Sequence, residues 1–259
     1  MSLRSRAPWG LVAVAALVYG FLHLPILVLV AFSFNASKFS AEWRGFTIQW
    51  YHRLLERADV IHGLELSLVV ATVSTVISAA LGTLVALALA RHRFRGRPAV
   101  EAFLYVPVVT PEIVVGISLL LLFALLGLPL GVATIVIAHV AFSLSFVVIV
   151  VRARLAGMDT SLEEAALILG ADEITAFRRV TLPQLWPGVM AGALLAFILS
   201  FDDFLITSFV AGSGTSTLPL VVYGMARRNV EPSINAISTI ILVVTTAVLY
   251  LAERVTRER

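Results

Sequence analysis

The sequence has 259 residues, of which 59% are hydrophobic and only 14% are charged, and its mean hydropathy is +0.98. A soluble domain is roughly 45–50% apolar and roughly 25% charged, so this composition excludes an ordinary soluble domain and indicates a membrane protein. The net charge of +3 is too small to indicate nucleic-acid binding. The single lysine, Lys38, follows Ser37 and precedes Phe39, so the chain has no Walker A loop. Without cysteine it has no disulfide and no thiolate metal site.

Six apolar segments are long enough to cross a bilayer, which takes about 20 helical residues. They cover residues 9–33, 63–90, 99–126, 131–151, 188–211 and 233–252. Because the third and fourth are joined only by residues 127–131, we expect a tight helical hairpin there. The first apolar run is about 25 residues long, which favours a membrane anchor over a cleaved signal peptide. The sequence therefore predicts an all-α membrane protein with six spans and a single transmembrane domain over residues 1–259.

The distribution of Lys and Arg predicts the orientation of the spans. If the N-terminus is inside, the inner segments carry thirteen basic residues and the outer segments carry six. The inner group includes Arg4 and Arg6 at one end of the chain and Arg259 at the other. Both termini are therefore expected to be cytoplasmic.

The longest inner loop, residues 152–187, has signals for two short helices. Ser161 and Glu164 have capping-box spacing, which predicts a helix start, and Gly170 suits the turn after that helix. Asp172 can cap a second helix that runs until Pro183. Such an amphipathic pair can dock into a groove on a partner, or it can pack on its own bundle, and the pattern alone leaves both possibilities open.

One motif in this loop identifies a family. Glu164-Ala-Ala166, three residues, Gly170, nine residues and then Val180-Thr-Leu-Pro183 resembles the EAA motif of the membrane subunits of ABC importers. The resemblance implies a type I importer permease (MetI-like) fold, in which this loop is a coupling helix seated in a cleft of a cytoplasmic ATPase. The coupling residues that it implies are Glu164, Ala165, Ala166, Gly170, Leu182 and Pro183. An alternative for Glu164 is that it serves only as the capping-box acid.

Further segments resemble the second membrane subunit of the spermidine/putrescine permease branch. They include Ser33-Phe-Asn35, Trp50-Tyr51, Pro111-Glu-Ile-Val114 and Leu199-Ser-Phe-Asp-Asp-Phe204. The resemblance implies polyamine import across a bacterial inner membrane, with the chain embedded in lipid. It implies three protein partners: an ABC ATPase dimer that holds ATP and Mg, a second homologous permease and an extracytoplasmic substrate-binding protein. This chain itself is expected to bind no cofactor. Aminophosphonates and opines remain alternative substrates.

Four ionisable residues stand out inside the predicted spans, where such groups are rare and default to functional hypotheses. At 1.5 Å per residue, Glu112, Asp202 and Asp203 lie about 22 Å from the inner side, and His139 lies about 12 Å from the outer side. In a hydrocarbon core about 30 Å thick, all four share a layer. We expect a transient site for a cationic substrate there. Alternatively, these acids pair with Arg, cap broken helices or contact the other membrane subunit.

Two patterns concern the helices that carry these groups. Pro107 and Pro111 are expected to break the third span just before Glu112 and so free backbone groups to line a cavity. Small residues recur at every fourth position of the fifth span, which predicts close helix packing. These residues are Gly188, Gly192, Ala196 and Ser200.

Two other classes of function compete with an importer subunit. An ion-coupled secondary transporter could use Glu112 or Asp203 as a proton or sodium site, but it leaves the spacing from Glu164 to Pro183 unexplained. An intramembrane enzyme needs a metal-ligand cluster or a nucleophile–base pair, and the sequence contains neither pattern. We therefore expect a transport subunit that is not itself an enzyme.

Overall fold

The computed structural model describes residues 9–38, 42–228 and 232–257. Part of the orientation prediction rests on Arg4, Arg6 and Arg259, which lie outside the described residues. Within the described ranges the regular structure is helical, apart from one antiparallel bridge between Asn35 and Phe46. The predicted all-α class is therefore confirmed.

Twelve helices and one π-helical turn follow one another in the described chain. They are α1 (Trp9–Phe32), α2 (Gln49–Glu56), α3 (Ala58–Arg91), α4 (Arg97–Val109), α5 (Glu112–Leu125), α6 (Val132–Ala156), α7 (Ser161–Ile168), α8 (Glu173–Ala176), the π-turn (Phe177–Thr181), α9 (Leu182–Phe201), α10 (Leu205–Val210), α11 (Leu218–Arg228) and α12 (Pro232–Arg257).

Four of these helices are long and apolar enough to cross a membrane, namely α1, α3, α6 and the continuous run Glu173–Phe201. The pair α4 and α5 counts as a fifth span if the two bent helices are taken together. In α12 the apolar part, Pro232–Ala247, is shorter. The chain is a multi-pass membrane protein, and the count of six spans stays a prediction.

The third predicted span is broken at Pro111, whereas Pro107 lies within α4 and does not interrupt it. Helix α4 ends at Val109 and α5 begins at Glu112, and the direction of the helix axis bends by 114° between them. Pro111 lacks an N–H and disfavours helical backbone at the residue before it. Thr110 accordingly has extended backbone, with ψ 135°. Glu112 is therefore the first residue of α5, immediately after the break.

The fifth predicted span differs from the prediction at both ends. The helix expected to stop at Pro183 continues through the π-turn into α9. In that turn the N–H of Leu182 donates to the carbonyl of Phe177, five residues back, so the wider turn lies directly before Pro183. At the other end α9 stops at Phe201 and α10 begins at Leu205. Asp202 and Asp203 therefore lie in a second helix break, which the uninterrupted span 188–211 did not anticipate.

The chain forms two compact units, which the prediction of one domain over residues 1–259 did not distinguish, and that domain assignment stays a prediction. The first unit contains the described residues up to Val60 and from Val222 onward, and the second is Ile61–Val221. In the first unit α2 contacts α12 and buries Trp50 and Leu54. Leu55, on the same helix, is exposed.

In the second unit the largest helix contact is between α6 and α9. All four small residues of the predicted ridge, Gly188, Gly192, Ala196 and Ser200, are buried. A Cβ added at Gly188 would lie 2.5 Å from Cβ of Arg154, so only glycine permits this approach of the two helices. The predicted close packing is confirmed, and it fixes α9 against α6 up to the break at Asp202.

Candidate functional site

The start of α7 differs from the predicted capping box. Thr160, not Ser161, is the N-cap residue, and no side-chain capping bond is made. Ser161 is instead the first helical residue, and its N–H donates to Oδ1 of Asp159 at 2.9 Å. The carboxylate of Asp159 therefore gives a backbone N–H at the helix start the hydrogen bond that the capping box was expected to supply. Glu164 is therefore not needed as the capping acid.

The end of α7 follows the prediction for Gly170. Its φ of +92° is unfavourable for a residue with a Cβ. The N–H of Gly170 donates to the carbonyl of Leu167, and the N–H of Ala171 donates to that of Ala166, both at 3.0 Å. These two bonds form a Schellman turn. The turn ends α7 and directs the chain into α8.

The apolar side chains of α7 and of the turn after it are left uncovered by this chain. Ile168 is 85% exposed and Leu169 is 87% exposed, and Leu162 and Ile174 are also exposed. Contiguous exposed apolar surface is typical of an interaction site. We call residues 161–174 with these four side chains the apolar coupling surface. The exposure of these four side chains favours docking on a partner over packing on the bundle, and the docking stays a prediction.

The predicted coupling residues occupy three positions in this geometry. Glu164 and Ala165 are exposed on α7, and Ala166 is half-buried. Gly170 forms the Schellman turn, and Leu182 and Pro183 begin α9. The side chain of Glu164 makes no ion pair or hydrogen bond within the described chain, so its carboxylate is free to meet a partner.

The neighbouring acid, Glu163, holds the loop to the rest of the unit. Nη2 of Arg91, at the end of α3, lies 2.6 Å from both carboxylate oxygens of Glu163. The hydroxyl of Thr181, in the π-turn, donates to Oε2 of Glu163 at 2.7 Å. The two adjacent glutamates therefore differ in their contacts, since Glu163 is bound within the chain and Glu164 faces outward.

Two aspartates beside the starts of α7 and α8 have lowered pKa values. The N–H of Ser161, together with its hydroxyl, lowers the pKa of Asp159. The hydroxyl of Thr175 lowers the pKa of Asp172. Both carboxylates are therefore ionised near neutral pH, each beside the helix start that its charge favours.

A buried polar cluster joins α6, α9 and α10. His139 is 2% exposed, and its Nδ1 lies 2.6 Å from the hydroxyl of Ser200. Its Nε2 lies 2.9 Å from the hydroxyl oxygen of Thr207 and 3.2 Å from Oδ2 of Asp203. Both ring nitrogens thus have partners, which accounts for a histidine in an apolar core.

Asp203 also caps α10. Its Oδ2 accepts the N–H of Thr207 at 2.7 Å and the hydroxyl of Thr207 at 2.6 Å, and its Oδ1 accepts the N–H of Ile206 at 3.2 Å. The side chain is only 7% exposed. This arrangement fits the alternative that the intramembrane acids cap broken helices. Asp203 therefore has a structural role in the site.

The remaining two acids are open. Glu112 and Asp202 are exposed, and neither side chain makes a hydrogen bond or ion pair within the described residues. Asp202 directly precedes Asp203 in the chain, and Glu112 is the first residue of α5. Helices α5 and α10 pack closely, with Gly116 against Ile206 and Phe209, which brings the two helix breaks together. In the described ranges no group of three or more His, Asp or Glu residues is placed to hold a metal ion.

Five residues of these two clusters are not predicted as site residues from the sequence. The motif selects Glu164, whereas Glu163 is the glutamate that meets Arg91, 72 residues away along the chain. Thr181 and Thr207 match no site pattern, and Ser200 is predicted only to pack against a neighbouring helix. The one local signal was that Thr207 lies four residues after Asp203, which is the spacing of a side chain that caps a following helix turn.

Comparison with known proteins identifies the family. The profile of the family described as "Binding-protein-dependent transport system inner membrane component" matches residues 78–257. The spermidine/putrescine transport system permease protein PotC of Escherichia coli K12 is 41% identical over 242 residues, covering 93% of this chain and 92% of that protein. The putrescine transport system permease protein PotI of the same organism is 42% identical over 244 residues, covering 92% and 86%.

Solved structures share the fold at lower identity. A chain of a bacterial ABC transporter involved in the import of alginate superposes with a TM-score of 0.76 at 19% identity, covering 98% of this chain and 99% of that one. A chain of an amino acid ABC transporter superposes with a TM-score of 0.65 at 22% identity, covering 83% and 100%. The predicted permease fold is confirmed. With its broken spans and exposed EAA loop, the chain belongs to the family of inner-membrane components of binding-protein-dependent transport systems, as the permease subunit of an ABC importer.

Proposed function

We propose that this permease carries polyamines, and that Glu112 and Asp202 contact the substrate as it passes. The observation that carries the proposal is the presence of two exposed carboxylates without partners, at two helix breaks beside the anchored Asp203. The names of the relatives support the substrate class, since they are spermidine/putrescine and putrescine permeases.

The electrostatics of this layer favour a polycation. Carboxylates inside a membrane are costly unless they are neutralised or paired. Asp203 has hydrogen bonds to satisfy it, whereas Glu112 and Asp202 add unrelieved negative charge close by. A substrate with two or more ammonium groups would reduce that repulsion, and a neutral or anionic solute would not. His139 acts here as a buried support for Asp203 and does not contact the substrate.

Energy is supplied in this proposal by another chain. The apolar coupling surface docks into a cytoplasmic ATPase dimer, with Glu164 facing the partner and Gly170, Leu182 and Pro183 setting the geometry of the loop. ATP and Mg bind to that ATPase, and this chain binds no cofactor. A second homologous permease completes the path, and an extracytoplasmic binding protein delivers the substrate. Both termini of this chain are cytoplasmic in the inner membrane.

Uptake by the assembled transporter tests the substrate and the two carboxylates together. The chain is co-reconstituted in proteoliposomes with the ATPase, second permease and binding protein encoded beside it, and uptake of labelled spermidine and putrescine is measured. Asp202→Asn and Glu112→Gln are each expected to raise KM roughly tenfold, the equivalent of losing about 1.4 kcal/mol of interaction. The matched control is Glu65→Gln, which removes an exposed acid on α3 at neither break.

Three results would contradict the proposed function. Unchanged uptake kinetics in both variants would remove these carboxylates from the path. Efficient uptake of an aminophosphonate or opine, with no uptake of either polyamine, would replace the substrate class. Uptake that follows an ion gradient and ignores ATP would instead favour a secondary transporter.

A further inference from the structure

We propose that Arg91 is a positioning residue that links the coupling helix to two transmembrane helices, so that movement of α7 is transmitted to both. This inference rests on the proposed docking of α7 on an ATPase. It concerns a residue outside the EAA motif and a contact that the motif does not specify.

One guanidinium group joins three elements, its own helix α3, α7 and the π-turn. Arg91 is the last residue of α3, and its Nη2 lies 2.6 Å from both oxygens of Glu163 in α7. The same nitrogen lies 3.4 Å from the hydroxyl oxygen of Thr181, at the end of the π-turn. The guanidinium carbon is 5.8 Å from the ring centroid of Phe177, at the start of that turn. We call Arg91, Glu163, Thr181 and Phe177 the loop clamp.

The clamp connects the coupling surface with the substrate layer through rigid elements. Thr181 is bonded to Glu163 and directly precedes α9. Helix α9 then runs to Phe201, and its last turns carry Ser200, which bonds His139, and lead to Asp202. A displacement of α7 therefore reaches the base of α9 through Glu163, and it reaches α3 through Arg91. Chains of packed side chains, hydrogen bonds and rigid helices of this kind can carry coupling between distant sites.

The loop clamp lies in surroundings that allow its side chains to move. Its ion pair is partly exposed, with 38% and 26% exposure for the side chains of Arg91 and Glu163. It borders a cavity of about 370 Å³ whose lining includes Arg152, Met158 and Gln184, which leaves space beside the ion pair. Partly exposed ion pairs contribute little to stability. Loss of the clamp should therefore leave the chain folded while it frees α7.

A second ion-pair cluster on the cytoplasmic side provides a matched control. Oε1 of Glu101 in α4 lies 3.1 Å from Nε of Arg97 and 3.1 Å from Nη2 of Arg152. Its exposure is similar, at 30% for Glu101 and 32% for Arg97. This cluster joins α4 and α6 and does not include α7. Glu101→Gln therefore removes an equivalent interaction without touching the coupling helix.

The first test measures the position of α7 and does not depend on transport. The chain has no cysteine, so spin labels at Ser161→Cys and Leu128→Cys in the full-length chain in nanodiscs report a single distance. Arg91→Ala should broaden that distance distribution, and Glu101→Gln should leave it unchanged. If the distribution in Arg91→Ala matches that of the parent, the clamp does not position α7 and the proposal is overturned, whatever the transporter carries.

The second test measures coupling in the assembled importer. Arg91→Glu and Glu163→Arg should each lower the amount of substrate imported per ATP hydrolysed, within the roughly 5- to 150-fold range of allosteric couplings. The exchanged pair Arg91→Glu/Glu163→Arg should recover most of that ratio, and Arg91→Lys should be intermediate because lysine lacks the guanidinium fork. If the exchanged pair is as poor as the single variants, or if the single variants keep the parental ratio, the proposal is wrong.

Discussion

Asp202 and Asp203 are adjacent in sequence but have opposite surroundings. Asp203 is held by two backbone N–H groups, the hydroxyl of Thr207 and the ring of His139. Asp202 is exposed and without a side-chain partner in the described structure. A buried carboxylate with several donors stabilises the fold, whereas an open one is available to a ligand. The same substitution at the two positions should therefore have different consequences.

We expect Asp203→Asn to affect stability and Asp202→Asn to affect transport. Asparagine at 203 loses the charge that four donors share, and hydrogen bonds to a charged group contribute about 1.5–3 kcal/mol each. Thermal unfolding of the purified variants in detergent should show a clearly lower Tm for Asp203→Asn and an unchanged Tm for Asp202→Asn. Thr207→Val is the control, since it removes one donor and should lower Tm less than Asp203→Asn. Equal Tm values for the two aspartate variants would contradict this division.

At the scale of single elements, the loop between α6 and α9 depends on one backbone conformation. The Schellman turn at Gly170 requires φ of +92° and leaves open space where a Cβ would be, so its constraint is conformational and not steric. Gly157, at the end of α6 in the same loop, has φ of −97°, which any residue adopts. The two glycines of this loop are therefore not equivalent.

This difference predicts the effect of alanine at the two positions. Gly170→Ala strains the backbone by roughly 1–2 kcal/mol and should lower ATP-dependent uptake, because the angle between α7 and α8 changes. Gly170→Asn should be milder, since asparagine tolerates this region better. Gly157→Ala should keep the parental activity. Uptake rates and recovery of the ATPase on affinity-tagged permease provide the measurement, and parental uptake by Gly170→Ala would refute the role of the turn.

Local chemistry explains which elements could be predicted from the sequence. Pro111 breaks a helix and Gly170 ends one through covalent properties of the residue itself, and both predictions are confirmed. The break at Asp202 has no proline or glycine, and the Asp203 beside it also contacts His139, 64 residues away. The choice of Glu163 over Glu164 likewise depends on Arg91. Such long-range side-chain partners leave no periodic signal, so the site could be predicted only as a set of candidates.

At the scale of the whole molecule, the distribution of basic residues is the basis for the predicted orientation in the membrane. Thirteen of nineteen basic residues lie on the predicted inner side, with Arg91, Arg97, Arg152 and Arg154 at the described helix ends nearest the coupling loop. Arg91, Arg97 and Arg152 are also engaged in ion pairs. Of these arginines, Arg91 also holds the coupling loop, through its contact with Glu163. Reversal of the orientation would place that loop where no ATP is available.

Thiol labelling tests the orientation directly, because the chain contains no cysteine of its own. Leu128, in the turn before α6, and Ile168, in α7 beyond its other end, are both exposed. Helix α6 has 25 residues, so it separates the two sites by about 37 Å at 1.5 Å per residue, enough to cross a bilayer. In spheroplasts a membrane-impermeant maleimide should label Leu128→Cys and spare Ile168→Cys, and permeabilisation should make both reactive. Labelling of Ile168→Cys alone before permeabilisation would invert the topology, and with it the direction in which the coupling surface and the substrate layer face.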